Sequence, residues 1–188
     1  MFTTLNQIRA KSPCAGGWKR LLASLNKTQS DDAPLSIVTI IDNNGIDDAL
    51  WCLRAVEGND KELSLYGVWC ARQVQHLMTD KRSIDALDVA ERFANGEATQ
   101  EELNVARSAA WAAWDAASAA ARVSARVAWT STSAADTDYY AACCAAGAAG
   151  AAGAAACGAD WSAYYAADHV SSVSMRNAQE SRLREICQ

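Results

Sequence analysis

Between residues 106 and 167, 29 of the 62 positions are alanine, and Gly147, Gly150, Gly153 and Gly158 interrupt the run. Alanine loses no side-chain entropy on entering a helix and has the highest intrinsic helix propensity. The stretch therefore predicts helix, and its small side chains predict neighbouring axes at the close end of the usual range, about 8 Å apart. The glycines fit neither collagen nor a flexible linker, because the stretch around them, Ala141 to Ala159, has no proline and no serine. They predict either a helix with a close-contact face or a turn between two helices. As interior helical residues they cost about 1 kcal/mol each relative to alanine, so tertiary packing has to offset roughly 3 to 4 kcal/mol.

The rest of the chain supplies the punctuation. Ser12-Pro13, Gly16-Gly17, Ser30 to Pro34 and Asp42 to Gly45 mark turns between short helices. Trp18, Leu21, Leu22 and Leu25 give an apolar face to a helix starting near Gly17. Ser36 to Ile41 is the one β-branched run, and it is read as helix because no second strand is evident for it to pair with. Asp47 and Asp48 suit a first helical turn, where the macrodipole favours acids, followed by Ile46, Leu50, Leu53 and Val56 on one face. A helix over 61–78 is predicted to be buried on two sides, and Ser83 is the expected cap of the next, which Asn95-Gly96 terminates. Thr99-Gln100-Glu101-Glu102 is a capping box. A long helix should begin there and run as far as Trp129, with a break over Thr130 to Ser133. Tyr139-Tyr140-Ala-Ala and Tyr164-Tyr165-Ala-Ala, 25 residues apart, suggest an antiparallel helical pair.

These elements predict an all-α protein, a compact multi-helix bundle with a tightly packed alanine/glycine-rich C-terminal half. At 188 residues the chain suits one domain over 1–188, with mixed-composition helices over 1–97 and the alanine-rich half over 98–188. The formal net charge of −5 lacks the clustered basic groups of a nucleic-acid binder. Ala141 to Ala159 has no Leu, Ile, Val or Phe and is bracketed by Asp138 and Asp160, which argues against a membrane span. The seven cysteines show no C-x-x-C spacing and follow no apolar leader, so they read as reduced, buried thiols of a cytoplasmic protein.

Few residues point to chemistry. His76 could act as a base only with Asp80 or Asp85 folded against it, and a structural role is favoured. His169 beside Asp168 cannot form a bidentate site from adjacent helical positions. A zinc site would need long-range ligands from Cys143, Cys144 or Cys157. Gly16-Gly17 with Lys19 and Arg20 is a weak anion-binding pattern, for which ordinary helix initiation is the favoured reading. No catalytic residue, cofactor or metal is expected. Trp111, Trp114 and Trp129 are the candidate protein-binding residues, since tryptophan anchors interfaces, although packing into gaps between alanine helices is the favoured reading of the indoles.

Two segments carry a resemblance. Trp69 to Val74, then Ala86 to Glu97, then Glu102-Leu103 and Ala106 to Ala110 resemble bacterial immunity proteins of an alanine-rich helical family, over about Trp69 to Ala167. Asn44 to Ala55, within Pro34 to Val56, is similar to proteins from tailed-phage and prophage genomes. The resemblance implies a small non-enzymatic factor that occupies a protein partner, as an immunity or counter-defence inhibitor would. It implies no site residues. The alternative is a structural or assembly protein whose small-residue helices pack against copies of themselves as a homo-oligomer. An enzyme built from His76, Cys70 and nearby acids is the third and least favoured reading.

Overall fold

The computed structural model describes residues 1–128 and 173–188. Among these, eight α-helices and a two-stranded ribbon form an all-α bundle: α1 (Leu5–Ala10), α2 (Ala15–Ser24), α3 (Ile37–Asn44), α4 (Ile46–Cys52), α5 (Asp60–Arg72), α6 (Lys81–Ala94), α7 (Gln100–Ala128) and α8 (Val173–Ile186). Trp129, Thr130 to Ser133, the Tyr139-Tyr140 and Tyr164-Tyr165 repeats, Cys143, Cys144, Cys157, Gly147 to Gly158 and His169 lie outside the described residues.

Local chemistry sets most boundaries. The capping box is present: Glu102 N–H donates to Thr99 Oγ1 at 3.2 Å, and Thr99 N–H donates to Glu102 Oε2 at 2.7 Å. Two orphan backbone donors are thereby satisfied at the start of α7. Gly96, at φ +78°, stops α6, and Gly45, at φ +87°, joins α3 directly to α4. A side chain in either conformation would be strained, which is why glycine serves there.

Three expectations are corrected. Leu35–Ser36 does have a strand partner, Phe2–Thr3, in antiparallel register with Phe2 opposite Ser36 and Thr3 opposite Leu35; the run that follows is helical, as expected. The cap of α6 is Asp80, whose carboxylate accepts from Arg82 N–H at 2.9 Å. Ser83 is instead fully buried inside the first turn. The helix expected over 61–78 ends at Arg72, and a 3-10 turn follows over Gln75–Leu77. The guanidinium of Arg72 bridges Gln75 to Asp88 and Glu91 on α6, so it links α5, the turn and the neighbouring helix. Val74 stays buried despite the break.

A single core gathers Leu5, Ile8, Leu21, Ile37, Ile40, Leu50, Leu53, Tyr66, Val68, Leu87, Leu103 and Leu183. Around it α2 packs on α3 and α3 on α4, while α5 packs on α6, α6 on α7, and α8 on α5. The Met1 ammonium donates to Cys187 O at 2.8 Å, and Tyr66 Oη donates to Gln179 O at 3.1 Å. Thus α8 is fastened to the first half by buried polar bonds as well as by Leu183. No described helix is long and apolar enough to cross a membrane.

Candidate functional site

Helix α7 turns Leu103, Ala110 and Ala113 inward as buried residues, and this periodicity fixes where the tryptophans go. Trp111 and Trp114 are three residues apart, on one side of the helix and one turn removed. Both are half-buried. Their rings meet edge to face, with centroids 5.5 Å apart and planes at 90°, the arrangement in which the positive edge of one ring meets the negative face of the other. Ala112 and Ala116 beside them are exposed, and as alanines they shield little of the indoles. Of the three tryptophans singled out from the sequence, two are thus brought together; Trp129 lies outside the described residues.

The first half of the chain holds a second feature that the sequence pattern did not signal. Between α1, α2, α3 and α4 lies a half-open pocket of about 160 Å³, lined by Ile8, Trp18, Leu21, Ile40, Trp51 and Cys52, with Cys14, Gly17, Asn44, Asp47 and Asp48 as its polar edge. Its geometry follows from the start of α2. Cys14 is the N-cap, and its Sγ accepts from Gly17 N–H at 3.4 Å. Asp48 from α4 lies so close that a Cβ on Gly17 would sit 3.1 Å from its Oδ2 and 3.2 Å from its Oδ1. A methyl group there would crowd the carboxylate, and glycine leaves it room. Asn44 donates from Nδ2 to both Gly17 O at 3.1 Å and Asp48 Oδ2 at 2.8 Å, which fixes the orientation of its amide. Arg20 closes the cluster with a bond to Asp48 Oδ2 at 2.8 Å. The anion-binding pattern read from Gly16, Gly17 and Arg20 is therefore answered by the chain's own carboxylate. Asp47, 76% exposed, pairs with Arg176 of α8 at 3.0 Å. Burial, with Asp48 adding to it, pushes the Cys52 thiol up to about 12.

The remaining candidates are drawn to other partners. His76 is exposed on the 3-10 turn. Asp80 is forked by its neighbour Arg82, and Asp85 is paired with Lys81 one turn away. Cys70 is completely buried, its thiol pushed up to about 12 chiefly by that burial. No group of three or more potential metal ligands occurs among the described residues.

Comparison with protein-family models, curated proteins and solved structures finds no match. The two sites therefore stand on their own geometry. One is an aromatic pair on the longest described helix; the other is an apolar pocket rimmed by compensated charges. The repeated spacing of Trp111 and Trp114 made the first legible. For the second, the available signal was the combination of Trp18, Trp51 and a glycine at a helix start, scattered over four elements.

Proposed function

We propose that this chain is a small non-enzymatic protein-binding factor of the immunity or counter-defence kind carried by phages and prophages, acting by covering the surface of a partner protein. The observation that supports this reading is the edge-to-face Trp111–Trp114 pair on α7. Two large rings that brace one another lose little further freedom on binding, which is the economy that makes tryptophan a recurrent interface anchor. The supporting helix is held from beneath by Leu103, Ala110 and Ala113 and at its start by the Thr99–Glu102 box. Trp129, outside the described residues, is the third residue proposed to contact the partner. The proposal places the factor in the cytoplasm, where its thiols stay reduced.

The experiment is a pull-down from bacterial lysate with the wild-type chain and with Trp111→Ala, Trp114→Ala and Trp129→Ala combined, sized by light scattering. A stoichiometric foreign protein, retained by the wild type and lost from a still-folded triple variant, is the expected outcome. Equal retention by both sinks the assignment of these residues. A homo-oligomer with no foreign partner replaces the reading with that of a self-assembling structural protein.

A further inference from the structure

The pocket beneath α2 and α4 has the dimensions and lining of a ligand site. Its volume of about 160 Å³ is close to that of an engineered apolar cavity, about 150 Å³, which binds benzene. It therefore admits one six-membered ring and little more. Trp18 and Trp51 offer indole surface to such a ring, and aromatic groups gain from edge or offset contacts beyond the area they bury.

The charges at the rim decide the character of the ligand. Asp48 is paired with Arg20, and Asp47 with Arg176. Arg54 lies over the Trp51 ring, 4.8 Å from its centroid. Each carboxylate already has its guanidinium, so neither an ammonium nor a carboxylate ligand meets an unanswered opposite charge. Two acceptors are left over, the buried Asn44 Oδ1, which has no partner among the described residues, and one oxygen of Asp48. Asp48 Oδ2 takes the bonds from both Arg20 and Asn44, whereas Oδ1 accepts no hydrogen bond among the described residues. A carboxylate oxygen at the edge of an apolar pocket is a strong acceptor for a ligand O–H or N–H.

We propose that this pocket binds a small, neutral, single-ring aromatic molecule carrying one hydroxyl or N–H donor, with the ring against Trp18 and Trp51 and the donor on Asp48. The site is built from α1 to α4, whereas the aromatic pair assigned to protein binding is on α7. The two proposals stand or fall separately.

The probe is phenol, compared with toluene, benzylamine and benzoate of similar size. Titration calorimetry on the full chain should show phenol binding about tenfold more tightly than toluene, as a hydrogen bond to a charged acceptor implies. Phenol should also shift the Trp18 and Trp51 indole N–H resonances and slow iodoacetamide alkylation of Cys14, read at its own peptide by mass spectrometry. Asp48→Ala should lower phenol affinity to that of toluene and leave toluene binding unchanged. Should that variant fail to fold, the wild-type ligand series and the Cys14 protection decide the question alone. Resonances and alkylation rate unmoved by millimolar phenol overturn the site. Equal affinity for phenol and toluene in the wild type, or tighter binding of benzylamine or benzoate, overturns the ligand class.

Discussion

Cys14 and Cys52 both edge the pocket, yet their surroundings give them opposite chemistry. Cys14 is exposed, with its sulfur at the start of α2, while Cys52 and Cys70 are buried and their thiols raised to about 12. Since only the thiolate attacks an alkylating reagent, at pH 8 either buried group is held in its unreactive protonated form, and burial also excludes the reagent. Iodoacetamide should therefore modify Cys14 in the native protein and reach Cys52 and Cys70 only after denaturant is added; peptide mass spectrometry distinguishes the three sites. Modification of Cys52 or Cys70 at the native rate of Cys14 contradicts the packing described. Thr99 acts through one hydroxyl oxygen, accepting from Glu102 N–H. Thr99→Ala removes that acceptor and should lower stability by about 1 kcal/mol, read as a reduced urea midpoint with an unchanged slope.

Among the described elements, α8 is tied to residues far from it in the chain. Its Leu183 is fully buried, Gln179 O receives the Tyr66 hydroxyl, and Arg184 and Arg176 reach Asp42 and Asp47. Three of those four ties are polar, and the two ion pairs are exposed enough to contribute little. Leu183→Ala should then cost roughly 2 to 5 kcal/mol, with amide exchange accelerating in α8 before it does in α6. Uniform acceleration through both helices, or none, rules out α8 as a unit held by that leucine. The element scale is also where sequence and structure part. Thr99 with Glu102, and Gly96, were readable because a cap needs only a few consecutive residues. Ser83 was a misleading cap because Asp80, three residues earlier, already supplied the oxygen and carried its own Arg82. The break at Arg72 was hidden, since no glycine or proline marks Gln73 or Val74, and the Arg72 bridge to Asp88 and Glu91 beside it joins residues distant in sequence. The pocket was hidden for the same reason: Ile8, Trp18, Ile40 and Trp51 fit unremarkable helical faces until four helices converge.

For the molecule as a whole, the titrating groups separate into exposed acids that favour the fold in their charged form and buried acids that favour it in their neutral form. Asp31 is held below its ordinary value by Lys27, Asp80 by Arg82, and Glu102 by the Thr99 amide and then Arg92. Their stabilisation is complete above the unfolded carboxylate range, about 4, and is lost as pH falls through their lower folded values. All three lie at the surface, so this loss should be small and weakened further by salt. Cys52 and Cys70 behave in the reverse sense. In the unfolded chain they ionise from about 8.5 upward, whereas in the fold they stay protonated to about 12. Their contribution is present below the unfolded value and disappears as pH rises toward the folded one. Tyr66, raised by burial well above its ordinary value, adds to the same limb. Thermal midpoints in a reducing buffer should thus form a plateau from about pH 5 to 8, with a shallow, salt-sensitive acid side and a steeper alkaline side that 1 M salt scarcely alters. Cys52→Ala combined with Cys70→Ala should flatten the alkaline side selectively, because burial rather than ion pairing is what opposes ionisation there. An alkaline slope that the double variant leaves intact would instead assign it to Tyr66 or to thiols elsewhere in the chain, and Tyr66→Phe separates those two causes.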